Sequence, residues 1–380
     1  MKRIFRAFGY PDVVWFPKTE RSFLGFICVS FILAMFITPY PQYAMWAGFL
    51  FAAYAAIAND SIQTIGTFIA SNQDKKWWVL WIFIGGIFFF TMLYSWLTLG
   101  GDVSHGRLTS KGFELAPTEF HFLQIAAPIF LLILTRLRMP VSTTFILLTS
   151  FAATPAAVGG VLAKSMSGYI LSFLMGLIFF LIVAKASKKY FVGEAKFGWT
   201  IAQWITSGTL WSVWLMQDAA NIAVYLPRSL STGEFMGFTG VVVIGLGLLL
   251  YYKGGRIQKI VTEKSVVTDV RFATLIDLIY CVILFYFKLH SKVPMSTTWV
   301  FIGLLAGREL GMALMKTGDN SILRSLRLGL KDMVYALLGL VISIAIAIGV
   351  NDQLTVASMF SSIPEEFGKG IVKFFSRIGF

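Results

Sequence analysis

Eleven apolar stretches, most of them long enough to cross a bilayer, limit the folds open to this chain more than any other feature. An apolar segment of about 20 residues satisfies its backbone groups within a membrane only as a helix. The stretches are 22–38, 43–70, 78–100, 118–138, 141–161, 166–186, 199–225, 235–252, 268–290, 295–312 and 331–350. Since 57% of the 380 residues are apolar and 13% are charged, we predict an all-α integral membrane protein.

The net charge of +13 is accounted for by membrane topology. If the N-terminus is cytoplasmic and every stretch crosses, 23 of the 32 Lys and Arg residues fall on the cytoplasmic side. Cytoplasmic loops carry such an excess of basic residues. We therefore expect a multi-pass protein of the cell membrane with its N-terminus inside, and the basicity requires no nucleic-acid partner.

Two short motifs occur twice, in the same order. N-D-S-I-Q at 59–63 precedes M-P-V-S-T-T at 139–144, and Q-D-A-A-N at 217–221 precedes V-P-M-S-T-T at 293–298. The matching order and separation indicate an internal duplication, and the predicted topology makes the two repeats inverted. This favours an inverted-repeat secondary transporter with two re-entrant or broken helical hairpins.

The repeats divide the chain into five parts. They are an N-terminal cytoplasmic segment with the first transmembrane helix (1–42), the first inverted repeat (43–165), a connecting helix with a basic loop (166–198), the second inverted repeat (199–315), and the last transmembrane helix with an amphipathic tail (316–380).

Each later motif places Pro and hydroxyl residues inside an apolar stretch. Pro140 and Pro294 precede two Ser-Thr-Thr triplets, and Pro followed by Ser or Thr is typical of a helix beginning. The free N–H groups of a helix that begins within the membrane bind anions. The candidate anion ligands are Ser142, Thr143, Thr144, Ser296, Thr297 and Thr298. A proline kink with hydroxyl groups that satisfy the backbone is the alternative.

Each earlier motif places a carboxylate in an apolar stretch. Asp60 and Asp218 require a partner or a water-filled cavity there. Four amides surround them: Asn59 and Gln217, which we predict as cation ligands together with the two Asp residues, and Gln63 and Asn221, which we predict as ligands of the substrate anion. Such oxygens suit a hard cation such as Na⁺, a titrating Asp suits a proton relay, and hydrogen bonding between helices is a third possibility. Two bare carboxylates repel an anion, so anion transport here requires a cation or proton as partner.

These residues together resemble the inorganic phosphate transporter (PiT) family, whose halves each carry G-A-N-D-x-A-N-A and later P-V-S-T-T-H. Residues 58–67 and 217–223 resemble the first motif, the triplets resemble the second, and a glycine-basic segment at 254–256 and Asp277 also correspond. The resemblance covers most of the chain. It implies secondary transport of phosphate, coupled to Na⁺ or H⁺, with sulfate as a related substrate, and a homodimer.

Carried over by the resemblance, Asp60, Asp218 and Asn221 take cation or anion roles and the two triplets line the anion site. Gln63 and Gln217 stand where the family has Asn, and Phe145 and Trp299 replace its two His residues. These replacements leave sulfate or another tetrahedral oxyanion open, and also a non-transporting sensor or channel. They exclude a pH response through those two His positions.

Other charged residues allow two interpretations each. Asp277 is a cation ligand or pairs with Arg271 or another basic residue, while Lys288 and Lys292 attract anions or anchor the chain at the membrane interface. The sequence shows no phosphate-binding glycine loop, Cys/His cluster or nucleophile–base pair. We therefore expect no enzymatic activity, and no cofactor besides the coupling ion.

Overall fold

The computed structural model describes residues 18–109, 112–137, 139, 141–252, 269–317, 320–361, 363–365 and 368. Within these ranges every regular element is helical. The helices are α1 (Lys18–Ile37), α2 (Pro41–Ser71), α3 (Trp77–Thr98), α4 (Phe122–Arg136), α5 (Thr143–Ile146), a 3₁₀ turn (Leu148–Phe151), α6 (Pro155–Tyr190), α7 (Phe197–Ala223), α8 (Thr232–Tyr251), α9 (Val270–His290), α10 (Thr297–Leu314) and α11 (Ile322–Val350).

Five of the described helices are long and apolar enough to cross a membrane: α3, α6 to residue 187, α8, α9 and α11. Each of them exposes large apolar side chains that a soluble fold would bury. Examples, one from each helix in order, are Phe90, Ile182, Ile244, Leu289 and Val341, all more than 60% exposed. Lipid is the environment in which such surfaces are stable, and the protein is therefore membrane-embedded.

The structure does not form a single helix over the predicted apolar stretch 141–161. Only one helical turn, α5, follows Ser142, and the chain then forms the 3₁₀ turn and bends at residues 152–154 before α6 begins. Thr154 caps α6 by accepting a hydrogen bond from the Ala157 N–H, and Pro155 occupies its first turn. The predicted domain boundary between residues 165 and 166 lies inside this helix.

Small residues bring α6 and α10 into close contact. Gly303, Gly307 and Gly311 lie on one face of α10, four residues apart. A Cβ at Gly303 would lie 2.6 Å from the Tyr169 carbonyl oxygen, and one at Gly307 would overlap that of Phe173. Backbone packing at this distance drives helix association where lipid removes the hydrophobic contribution.

The polar centre of the fold lies between α2 and α7. Helix α7 packs against α2, α3 and α9, and α2 also packs against α4 and α8. Asp60 and Asp218 therefore lie on helices that are surrounded by other helices. Three predicted features fall wholly or largely outside the described residues: Pro140, the segment 254–256 and the amphipathic tail.

Candidate functional site

Asp60 is buried where α2 passes the first triplet. It is 2% exposed. Its carboxylate accepts hydrogen bonds from the Asn59 amide, at 2.7 Å, and from the Thr143 hydroxyl. The Asn59 amide also donates to the Val141 carbonyl at 3.1 Å. The first Asp and the first triplet, which lie 83 residues apart at Asp60 and Thr143, are thus in direct contact.

Asn221 joins the two halves of the sequence pattern. Its Nδ2 atom lies 2.7 Å from Asp218 Oδ1 and 3.1 Å from the hydroxyl oxygens of both Thr143 and Thr144. Asp218 is 3% exposed, and its charge is close enough to that of Asp60 for the two to interact. One amide therefore connects the second Asp with the first triplet.

Both triplets begin a helix, as the sequence predicts. Ser142 and Ser296 are the N-caps of α5 and α10, and each hydroxyl accepts a hydrogen bond at 3.2 Å from the backbone N–H three residues later. The Thr144 hydroxyl lies 3.1 Å from the Met295 carbonyl oxygen, so the two beginnings meet. Only α10 is long enough for a substantial helix dipole, because α5 has four residues.

Thr297 brings the second triplet to the second Asp. Its hydroxyl lies beside the Asp218 carboxylate and accepts a hydrogen bond from the Trp214 indole at 3.2 Å. Its carbonyl oxygen accepts from the Tyr280 hydroxyl at 3.1 Å. Thr298 is buried beside it. The sequence interpretation missed Trp214 and Tyr280, although Trp214 lies one helical turn before Asp218 and thus on its face.

Two amide oxygens near Asp218 have no hydrogen-bond donor among the described residues, Gln217 Oε1 and Asn221 Oδ1. Gln217 is held by its amide N–H, which donates to the Leu284 carbonyl at 2.9 Å. A buried oxygen without a donor is destabilising unless a ligand satisfies it. Gln63 lies on α2, but its side chain is outside the described part of the structure.

Phe145 and Trp299 occupy the two positions after the triplets. Both are buried, and their rings meet edge to face with centroids 5.2 Å apart. The Trp299 indole N–H has no acceptor among the described residues. An aromatic pair thus lies between the helix beginnings, with one N–H donor that has no acceptor among the described residues.

Asp277 has a separate environment. Its two carboxylate oxygens accept from the Thr67 hydroxyl at 2.8 Å and the Ser207 hydroxyl at 2.5 Å. Arg271 pairs instead with Asp269, at 2.6 Å. This geometry therefore does not support the predicted ion pair between Asp277 and Arg271. Its contacts join α2, α7 and α9.

The described residues contain no group of three or more His, Cys, Asp and Glu side chains placed to hold a metal ion. The site near Asp218 is instead built from two carboxylates, amide oxygens and hydroxyls, which suit an alkali cation better than a transition metal. No family model, curated protein or solved structure matches the chain. The family resemblance therefore stays a prediction from the short motifs.

Proposed function

We propose that the protein is a symporter that carries inorganic phosphate across the membrane together with a coupling cation, Na⁺ or H⁺. The observation that carries this proposal is the position of Asn221, whose amide contacts Asp218, Thr143 and Thr144. Through it, acidic groups suited to a cation adjoin hydroxyl groups suited to an oxyanion.

The cation is placed between Asp60 and Asp218. Two buried carboxylates whose charges interact repel each other and any anion nearby. A bound Na⁺, coordinated also by the oxygens of Gln217 and Asn221, removes part of this negative charge, and Asn59 orients Asp60 for it. Protons bound to the two carboxylates would also reduce this negative charge. Asp277, with its two hydroxyl partners, is proposed as a second cation position.

The oxyanion is placed at the two triplets. The first N–H groups of α10 have no acceptor within that helix, and its dipole is positive at this end. Further donors are the hydroxyls of Thr143, Thr144 and Thr297, which lie at the Asp60 and Asp218 carboxylates. When a cation or proton binds a carboxylate in place of a hydroxyl, that hydroxyl becomes free to donate to the oxyanion. Affinity for the anion then depends on the cation, which is the physical basis of symport.

The finer architecture is part of the same proposal. We infer an inverted repeat with one helical hairpin in each half, at 118–161 and 268–312. In each hairpin the helix is interrupted, and the triplet stands where the helix begins again. The order of the motifs in the sequence supports it, and so does the contact between Thr144 and Met295. Two halves that meet at a central site can rock against each other, as alternating access requires.

Uptake of labelled phosphate into proteoliposomes tests this function. Uptake should depend on an imposed Na⁺ or H⁺ gradient, and replacing Na⁺ by choline separates the two. Asp218→Asn should abolish gradient-dependent uptake, while Asp352→Asn, which changes an exposed carboxylate, should retain it. Competition by sulfate, arsenate and molybdate ranks the anions.

Uptake that is insensitive to both gradients would contradict symport, and equal uptake by the two Asp variants would place Asp218 among structural residues. Competition by sulfate with higher affinity than phosphate would favour the sulfate alternative. Conduction without saturation would favour a channel.

A further inference from the structure

Four basic residues gather around the segment that leads into the second triplet. The Arg107 guanidinium donates to the Ser291 carbonyl, and the Lys164 ammonium donates to the carbonyls of Ser291, at 3.3 Å, and Val293. Lys288 is within electrostatic range of both Arg107 and Lys164. We call Arg107, Lys164, Lys288 and Lys292 the basic cluster.

The basic cluster runs from the surface to the candidate site. Lys292 is exposed, Lys288 is half-buried, Lys164 is 9% exposed and Arg107 is 1% exposed. Lys292 reaches back to the turn that presents Arg107, because its ammonium lies 3.7 Å from where a Cβ on Gly106 would stand. Arg107 itself donates to the Met216 carbonyl at 3.3 Å, two residues before Asp218.

The hydrogen bonds of Lys164 neutralise little of its charge. Lys164 donates to two carbonyl groups, which carry no formal charge. Asp102 lies in the same turn as Arg107, where its carboxylate accepts from the N–H groups of Ser104 and Gly106. These neutral donors leave its negative charge in place, so it offsets part of the positive charge of the cluster. Asp218, at the inner end, is the carboxylate that attracts Arg107. Burying the Lys164 ammonium close to the Arg107 guanidinium is unfavourable unless nearby negative charge compensates it.

We propose that the basic cluster is an outer anion-binding site, at which a tetrahedral oxyanion binds before it moves to the triplets. The identity of the anion at this site rests on the proposed function. The charge and burial of the basic cluster do not depend on that function. In the predicted topology all four residues belong to the side opposite the N-terminus. A cleft that concentrates positive charge raises the local concentration of an anionic substrate and its association rate.

A structural role is the competing explanation for the inner pair, since Arg107 and Lys164 hold the backbone of residues 291–293. Lys288 and Lys292 make no such contact among the described residues, so their substitution tests anion attraction apart from folding. The double variant Lys288→Gln/Lys292→Gln removes two charges. Arg324→Gln/Arg327→Gln removes the same number from an exposed part of α11 and is the matched control.

Initial rates of phosphate uptake at low ionic strength provide the first readout. The Lys288/Lys292 variant should raise the KM for inorganic phosphate about tenfold with little change in kcat, because charge steering acts on encounter. Its KM should also depend less on added salt, which screens the steering charges in the wild type. The control variant should match the wild type. An unchanged KM and salt dependence in the Lys288/Lys292 variant would overturn the proposal.

Equilibrium binding of inorganic phosphate in lipid nanodiscs separates the outer site from the proposed function. The variant Thr143→Val/Thr297→Val should keep weak, salt-sensitive binding, which Lys164→Met then removes. If the wild type binds phosphate but does not transport it, loss of binding in the Lys288/Lys292 variant still supports the outer site while symport fails. Absence of salt-sensitive binding in both the wild type and the Thr143/Thr297 variant would overturn the outer site.

Discussion

Replacement of Asn221 by Leu tests the connection on which the candidate site depends. The amide has two N–H protons and three acceptors within reach, so it makes at most two full hydrogen bonds at once. The bond to Asp218, at 2.7 Å, contributes about 1.5–3 kcal/mol because its acceptor is charged, and a bond to a hydroxyl contributes about 0.5–1.5 kcal/mol. Leu has a similar volume and leaves no large cavity.

We therefore expect Asn221→Leu to lower the free energy of unfolding by about 2–4 kcal/mol. Denaturant titration in a mild detergent, followed by tryptophan fluorescence, measures the change. Asn320→Leu is the matched control, since that half-buried amide makes one bond, to Glu309 at 3.1 Å, for which water competes, and it should lose less stability than Asn221→Leu. An Asn221 variant as stable as the control would refute the proposed connection.

Two further perturbations have clear directions. Gly307→Leu should prevent α6 and α10 from packing, because even a Cβ would overlap the Phe173 carbonyl. A Cβ at Gly198 meets nothing within 4 Å, so Gly198→Leu is the control, and size-exclusion profiles in detergent compare the two variants. Burial, with the charge of Lys288, lowers the pKa of His105 to about 4. Because the unfolded chain takes up that proton at higher pH, stability should fall as pH drops from about 6.5 to 4, and His105→Gln should flatten this dependence.

The residues of the site could be predicted from the sequence because polar groups are conspicuous in apolar stretches. A buried carboxylate or a Ser-Thr-Thr triplet has few tolerable positions in a membrane helix, and its recurrence marks it. Asp60, Asp218 and both triplets indeed lie together. The N-caps at Ser142 and Ser296 were predictable from local chemistry alone.

Contacts between distant segments were not predictable in the same way. The hydroxyls of Thr67 and Ser207 meet Asp277 only because three helices pack together, and no local pattern marks them. The break after Ile146 was not predicted because residues 141–161 are mostly apolar, although Thr154 and Pro155, which begin α6, are a local signal for it. No sequence pattern singles out Arg107 or Lys164, and only the fold shows that both are buried.

The most direct test of the central proposal is the affinity for inorganic phosphate of protein in nanodiscs, measured by isothermal titration at saturating Na⁺ and at low pH. One site per chain at the triplets predicts that Thr143→Val and Thr297→Val each weaken this binding by about 1–3 kcal/mol, roughly 5- to 150-fold in Kd. An unchanged Kd in either variant would contradict an oxyanion held between the two helix beginnings.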